Sequence, residues 1–278
     1  MSTQVTFLII LLFIYVIPVV HVDASPTIFS LRPDNVCYEV WGGFNDDAVG
    51  ESYYDTLSEK FVMWINDTSG SWGLAKLSRG IMPHYWGLRY AQLDNEFEIE
   101  RGRSYEESLL ILEIDLKLVN YANYTLNNSS TNVAVVLFFD GFKTDYQAKC
   151  YQTELQFFSY YGDKIQKNQV WFFEWRNDSV AQFKLADNLQ PGEYKHYRIN
   201  LIPYIQQMMD YYKLDHAKLK HIEIFTEAYN GYCKFEVYCA NIHIEGRSFF
   251  HLAQLQIVIG AMLLICFIFL IFYRRAHG

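Results

Sequence analysis

The chain has 278 residues, a formal net charge of −8 and an 18% share of aromatic side chains. It contains no cluster of Lys and Arg that could follow a phosphate backbone, so we expect no nucleic-acid partner. Carbohydrate or another neutral ligand fits this composition better.

The N-terminal residues 1–24 predict a secretory signal peptide. Val5–Val22 is almost wholly apolar, and small residues precede Ser25, where a signal peptidase would cut. No Lys or Arg lies ahead of the apolar run, so an uncleaved anchor is the alternative. Residues 25–248 then form the extracellular domain, a length suited to one large all-β domain.

Short segments rich in aromatic and β-branched residues recur through this domain and predict strands. One segment differs, because Pro203–Tyr212 places Ile205, Met208 and Met209 at helical spacing. The pattern predicts an all-β fold, a two-sheet sandwich with one packed helix. The predicted strands are Val36–Phe44, Lys60–Ile65, Tyr85–Ala91, Leu109–Asn120, Asn132–Asp140, Thr153–Tyr160, Gln169–Arg176, Gln182–Leu185, Tyr194–Asn200, Leu219–Ala228 and Phe235–Glu245.

The C-terminal region predicts a transmembrane helix over residues 252–273. Leu255–Tyr273 is apolar apart from Gln256, and a membrane-spanning helix needs about 20 such residues. Arg274 and Arg275 follow directly and predict a cytoplasmic tail over residues 274–278. These features indicate a single-pass type I protein of the cell membrane, with the sandwich outside and the membrane as a partner of the C-terminal helix.

Four cysteines lie in the predicted extracellular domain, where an oxidising compartment favours disulfides. Cys233 and Cys239 would be about 20 Å apart along one extended strand, too far to pair with each other. Pairing of the first and last strands would favour Cys37 with Cys239, which leaves Cys150 with Cys233. Spacing does not fix this pairing.

Asparagine sequons predict glycosylation in exposed loops, although Asn-rich segments also produce such triplets by chance. The sequons are at Asn66, Asn123, Asn127, Asn128 and Asn177.

Two glutamates within strand-like aromatic segments are the candidate catalytic residues. Glu154 lies in Tyr151–Phe158 and Glu227 lies in Ile224–Gly231. A carboxylate in such a segment is costly unless it faces a cleft or a partner, and paired carboxylates are the groups that hydrolyse glycosidic bonds.

The order of segments from Asn132 to Ile244 resembles family 12 glycoside hydrolases, the jelly-roll endoglucanases. The Asn-Val-Ala-Val-Val-Leu-Phe-Phe-Asp strand, the Thr-Glu-Leu-Gln-Phe-Phe segment, a Trp-rich strand, the helix and Ile-Glu-Ile-Phe-Thr-Glu-Ala-Tyr-Asn-Gly carry the resemblance. It implies that the two-sheet sandwich is a jelly roll, and that Glu154 is the nucleophile and Glu227 the acid/base of a retaining β-1,4-glucanase. It also implies a carboxyl separation of about 5–5.5 Å and a raised pKa for Glu227.

Strand parity agrees with this interpretation, because side chains alternate between the two faces of a strand. Parity groups Glu154 with Gln156 and Phe158 on one face, and Glu227 with Glu223 and Phe225 on one face. Both glutamates can then face the same cleft. The chain departs from the family pattern at Val136, where the resemblance implies an Asp that would orient the nucleophile, and at Gln156 and Phe158, which replace Met and Trp.

Exposed aromatic rings bind sugars by stacking, although aromatic strands also pack cores. The candidate substrate-binding residues are Trp171, Trp175, Gln156, Phe158 and Tyr229.

The sequence predicts no metal site and no cofactor. His221 with Glu223, and His243 with Glu245, have the spacing of paired metal ligands, but spacing indicates no third ligand. No phosphate-binding loop or Gly-X-Ser-X-Gly motif is present in the sequence.

The leading hypothesis is therefore a membrane-anchored extracellular glycosidase acting on a polysaccharide. Two alternatives stay open. Val136 favours a glycan-binding domain that has the fold without turnover, and the fold class alone would also suit a structural protein of a cell envelope or virion surface.

Overall fold

A computed structural model describes residues 26–42, 47–80, 93–102, 108–125, 128–143, 146–161, 164–175 and 178–246. These residues form fifteen strands and one helix. In chain order the elements are β1 (Thr27–Ser30), β2 (Cys37–Trp41), β3 (Val49–Asp55), β4 (Lys60–Asp67), β5 (Gly73–Gly80), β6 (Glu98–Glu100), β7 (Ser108–Asn123), β8 (Ser130–Lys143), β9 (Tyr146–Tyr161), β10 (Lys164–Ile165), β11 (Gln169–Trp175), β12 (Asp178–Lys184), β13 (Tyr194–Asn200), α1 (Ile202–Tyr212), β14 (His216–Tyr229) and β15 (Gly231–Gly246).

The strands form two sheets. The six-stranded sheet has the order β13-β7-β15-β4-β3, with β1 paired to β15. The nine-stranded sheet has the order β11-β12-β9-β8-β14-β5-β2, with β10 paired to β9 and β6 to β14. Pairing is antiparallel except that β12 runs parallel to β9. The all-β sandwich with one helix agrees with the sequence prediction.

The inner faces of the two sheets share one core. Leu137 and Phe157 from the nine-stranded sheet, and Leu116, Phe235 and Ile242 from the six-stranded sheet, are all 0% exposed and belong to the same apolar cluster. Alternation sends every second residue of a strand to the opposite face, so the outer face of the nine-stranded sheet is free to carry polar residues.

The helix packs on this core as its spacing predicted. Ile205, Met208 and Met209 are buried, and Pro203 lies in the first turn, where its missing N–H breaks no helical hydrogen bond. The helix ends at Lys213, whose φ of 59° is left-handed. The Tyr212 hydroxyl donates to the carbonyl oxygen of Val180 at 2.8 Å, which ties α1 to β12.

The predicted fold class is wrong in one part, the C-terminal transmembrane helix. None of the described residues belongs to a helix long and apolar enough to cross a membrane, because α1 has 11 residues where a span needs about 20. The predicted signal peptide (1–24), the predicted membrane helix (252–273) and the predicted tail (274–278) lie outside the described residues, as does the predicted strand Tyr85–Ala91.

The predicted disulfides are also not formed, because Cys37, Cys150, Cys233 and Cys239 are all free thiols. Cys233 is 0% exposed in the shared core, whereas Cys150 packs with the apolar residues on the outer face of the nine-stranded sheet. Cys37 is on β2 of that sheet, whereas Cys239 is exposed on β15 of the other. Each predicted pair is therefore separated by a layer of the sandwich.

We expect the core to tolerate truncation poorly. Leu137→Ala should lower the free energy of unfolding by about 2–5 kcal/mol, since Leu137 is 0% exposed and its loss leaves a cavity. Leu57→Ala is the matched control, because Leu57 is 95% exposed, and should change it by no more than about 0.5 kcal/mol. Urea denaturation measures both, and equal effects would contradict this description of the core.

Candidate active site

Glu154 and Glu227 both lie on the outer face of the nine-stranded sheet. Glu154 is on β9 and Glu227 on β14, and β8 runs between these strands. Their chain neighbours Leu155 and Ala228 point to the opposite face, into the core. The glutamates are only 7% and 9% exposed, respectively. The sheet therefore withdraws both carboxyl groups from water on one face.

Val136 lies directly beside Glu154. It is the cross-strand partner of Glu154 on β9 and of Glu223 on β14. Val136 packs with Ala134, Phe138 and Phe225 in a small apolar cluster on this outer face. The position where the resemblance implies a hydrogen-bonding Asp is thus filled by an apolar side chain that can neither orient nor repel the Glu154 carboxylate.

Two glutamine side chains hold the Glu154 carboxyl group instead. Gln156 donates from Nε2 to Glu154 Oε1 at 2.6 Å, and Gln182 donates to the same oxygen at 3.1 Å. Gln182 is the cross-strand partner of Glu154 on β12. No described residue donates a hydrogen bond to Oε2, so the carboxyl group is fixed through one oxygen and the other is available to react.

Glu227 has the environment of a general acid. Burial is the main cause that raises its pKa, the negative charge of Glu154 adds to it, and the pKa reaches about 8. Hydrogen bonding with Trp72 and Asn132 and the positive charge of Lys184 oppose this rise. Glu227 therefore keeps its proton at neutral pH.

Burial also raises the pKa of Glu154, but donors and a cation oppose the shift. The amides of Gln156 and Gln182 and the ammonium group of Lys184 all favour the ionised carboxylate. The charge of Glu154 adds to the effect of burial on the pKa of Glu227, whereas Glu227 does not contribute to the shift of Glu154, so Glu154 is the member of the pair that ionises first. The two carboxyl groups are thus electrostatically coupled and differ in protonation.

Lys184 supplies the positive charge of the site. Its side chain is buried on β12, and its Nζ lies 4.0 Å from the centroid of the Trp171 ring. Burial lowers its pKa, whereas the charges of Glu154 and Glu227 act in the opposite direction. A buried ammonium group over an indole face is a cation–π contact, and the charge of Lys184 also acts to lower the pKa of both glutamates.

Phe158 does not face the cleft, so this prediction of a substrate-binding residue is wrong. A register shift between Val133 and Ala134 of β8 leaves Phe157 as an extra residue of β9. The bulge inverts the alternation that follows it. Phe158 is therefore 0% exposed in the core, where its ring contacts that of Tyr121.

The other predicted substrate-binding residues are near the glutamates or on the adjoining edge strand. Trp171 and Trp175 are exposed on β11, with exposed fractions of 49% and 42%. Trp175 and Tyr229 both contact the Trp72 ring. Gln156 is 1% exposed and contacts Glu154, so it positions a carboxyl group and is not open to a ligand.

The His–Glu pairs are hydrogen-bonded polar pairs. His221 Nε2 lies 3.1 Å from Glu223 Oε1, and the Lys76 ammonium group lies 2.6 Å from the same oxygen. Burial disfavours the charge on Glu223, but the attraction of Lys76 and the hydrogen bond with His221 lower its pKa to about 2. Across the described ranges no three His, Cys, Asp or Glu side chains form a metal-binding group.

The described sequons are only partly in loops. Asn128 is exposed between β7 and β8, whereas Asn66 and Asn123 are half-buried within strands β4 and β7. The Asn66 carboxamide accepts a hydrogen bond from the Tyr124 hydroxyl at 2.7 Å. Asn127 and Asn177 lie outside the described residues.

Sequence reasoning missed four residues of the site, namely Trp72, Asn132, Gln182 and Lys184. Parity could have found Gln182 and Lys184, since they share a face of a predicted strand and are polar among apolar residues. Trp72 comes from a loop far away in the sequence, and no local signal connects it to Glu227.

The fold is similar to that of solved glycoside hydrolase structures. The chain is similar to a family 12 xyloglucanase from Bacillus licheniformis, with 11% identity, a TM-score of 0.51, and coverage of 80% of this chain and 98% of that chain. It is also similar to a family 11 xylanase from Neocallimastix patriciarum, with 10% identity, a TM-score of 0.46, and coverage of 78% and 95%. No family model and no curated protein matches the sequence. The predicted resemblance to family 12 glycoside hydrolases is confirmed at the level of the fold.

The raised pKa of Glu227 should make the protein less stable as the pH rises. Unfolding returns its pKa from about 8 toward 4.5, so the unfolded state releases a proton between these values and is favoured. Glu227→Gln removes this effect. We expect its stability relative to the wild type to increase by about 2–5 kcal/mol between pH 4.5 and pH 8, since each pKa unit corresponds to about 1.4 kcal/mol.

Urea denaturation at the two pH values measures this difference. Glu59→Gln is the control, because Glu59 is an exposed residue in the turn between β3 and β4. A Glu227→Gln effect that is the same at both pH values would contradict the raised pKa.

Proposed function

We propose that this protein is a retaining glycoside hydrolase that cleaves β-1,4-linked glucan. The observation that carries the proposal is the difference between two coupled carboxyl groups on one sheet face. Glu154 is fixed through Oε1 by two amides and ionises first, whereas burial and the charge of Glu154 keep Glu227 protonated up to a pKa of about 8. A nucleophile and a general acid need these opposite states.

The proposed reaction has two steps. Glu154 Oε2 attacks the anomeric carbon while Glu227 donates its proton to the departing glycosidic oxygen, and a covalent glycosyl–enzyme forms. Glu227, now ionised, then takes a proton from water, and the resulting hydroxide displaces Glu154 with net retention at the anomeric carbon. Lys184 favours the ionised form of Glu154 in the free protein.

A glycan-binding protein without turnover is the second candidate, and Val136 favours it. The valine provides no hydrogen bond to Glu154 at the position where the family resemblance implies an Asp. Gln156 and Gln182 both donate to one oxygen of this carboxyl group, and we propose that they replace the orienting contact.

Release of reducing sugar from soluble β-glucan by the full chain tests hydrolysis. We expect Glu154→Gln and Glu227→Gln each to lower the rate by about 10²–10⁴-fold, the range typical of a positioned acid, base or nucleophile. The wild-type rate should fall above about pH 8 as Glu227 loses its proton. Proton NMR of the first product should show the retained β-anomer.

The matched control is Glu223→Gln, which changes another buried glutamate of the same face that is paired with Lys76. Its rate should fall above about pH 8, as in the wild type, because Glu227 is unchanged. Equal rates in the wild type and in both site variants would reject hydrolysis. Binding of the glucan without release would select the glycan-binding protein, and neither binding nor release would favour a structural surface protein.

A further inference from the structure

Asp67 organises the loop between β4 and β5. It is 0% exposed, and its Oδ1 accepts hydrogen bonds from the backbone N–H groups of Ser69 at 3.0 Å and Ser71 at 3.3 Å. Its Oδ2 accepts from the N–H groups of Trp72 at 3.2 Å and Asn230 at 3.0 Å. One buried carboxylate therefore joins this loop to the turn between β14 and β15.

Trp72 has a backbone conformation that needs such support. Its φ is 66°, in the left-handed region that is unfavourable for a bulky side chain. The bond from the Trp72 N–H to Asp67 Oδ2 fixes this conformation at the residue itself. Asp67 thereby holds Trp72 where a free loop would not place it.

The side chain of Trp72 meets the candidate active site. Its ring centroid lies 5.7 Å from that of Trp175 and 6.4 Å from that of Tyr229. Tyr229 is two residues from Glu227 on the same face of β14, and the indole group of Trp72 acts to lower the pKa of the Glu227 carboxyl group. Rings from the loop, the edge strand β11 and the end of β14 thus converge beside the proposed general acid.

We propose that Asp67 is a positioning residue that holds Trp72 against Glu227, and that Trp72, Trp175 and Tyr229 form the wall that receives the leaving-group sugar. The second half of this inference rests on the proposed function. Glu227 protonates the oxygen of the departing sugar, so the rings beside Glu227 are the ones that this sugar would contact. Aromatic faces with Tyr hydroxyl and Trp N–H groups suit a pyranose ring.

Proton–nitrogen NMR of the indole N–H groups tests the positioning role without any turnover. The Trp72 signal, assigned by its disappearance in Trp72→Phe, should shift with pH at the midpoint of Glu227, about 8. Glu227→Gln should abolish this titration. Asp67→Asn should also abolish it, because in either orientation the amide NH₂ replaces one accepting oxygen and breaks two of the four backbone bonds that hold the loop.

Ser71→Ala is the matched control, since it removes a hydroxyl contact to Asp67 Oδ1 and leaves both Oδ2 bonds in place. Its indole signal should titrate as in the wild type. A Trp72 signal that is insensitive to pH, or one that titrates unchanged in folded Asp67→Asn protein, would overturn the positioning role. Should Asp67→Asn not fold, hydrogen exchange of the wild-type Trp72 backbone N–H decides, since exchange as fast as in an open loop would contradict the bond to Asp67.

Binding of cellotetraose to Glu154→Gln protein tests the sugar wall. Adding Trp72→Ala should weaken binding about tenfold, the size expected for loss of one aromatic stacking contact. Adding Tyr194→Ala, which changes an exposed ring on the six-stranded sheet, should leave it unchanged. Equal affinity after Trp72→Ala, or no binding of cellotetraose to the Glu154→Gln protein, would overturn the proposal that these rings contact the sugar. A titrating indole in a protein that releases no sugar would reject hydrolysis and keep the role of Asp67.

Discussion

The site depends on one electrostatic constraint, which is that two carboxyl groups withdrawn from water on the same face cannot both be charged without a large cost. The surroundings of Glu154 and Glu227 resolve this cost in opposite ways. Glu154 receives two amide donors on one oxygen, whereas Glu227 keeps its proton. The positive charge of Lys184 opposes the rise in pKa at both carboxyl groups. The unequal protonation is thus a property of the whole surrounding face.

The nine-stranded sheet makes this arrangement possible because it separates two environments. Its inner face packs against the six-stranded sheet and holds residues such as Leu155 and Ile224. Its outer face combines the buried glutamates with a small apolar cluster that includes Val136. The same strands therefore supply rigid support on one side and chemistry on the other, which favours precise placement of the carboxyl groups.

The sequence predicted the part of the site that depends on strand periodicity. Alternation separated Glu154 and Glu227 from the core-facing residues of their strands, so that both could face one cleft, and helical spacing predicted that Ile205 and Met208 pack on the sandwich. Alternation failed at Phe158, because an extra residue in a strand leaves no local signal. The disulfide prediction failed because the layer in which a strand lies is decided by tertiary contacts.

Residues brought together from distant segments were the least predictable. Trp72 comes from the loop between β4 and β5, which Asp67 bonds to the backbone of Asn230 in the turn after β14. The hydropathy of 252–273 predicts a membrane helix, yet apolar length is a local property, and the residues that the structure describes contain no helix of that kind. Local patterns therefore identified the two proposed catalytic residues, whereas their supporting residues required the fold.

The sequence distances within the site have a consequence for folding. The contacts of Glu154 with Gln156 and Gln182 join residues 2 and 28 positions apart, whereas the bond from Asn230 to Asp67 spans 163 positions. The entropy lost on closing a loop grows with its length, and distant contacts slow folding. The surroundings of Glu154 can therefore form within one segment of the chain, but those of Glu227 require the two ends of the domain to meet. A nascent chain released before β14 would contain Glu154 with Gln156 and Gln182, but it would lack Glu227 and Asn230.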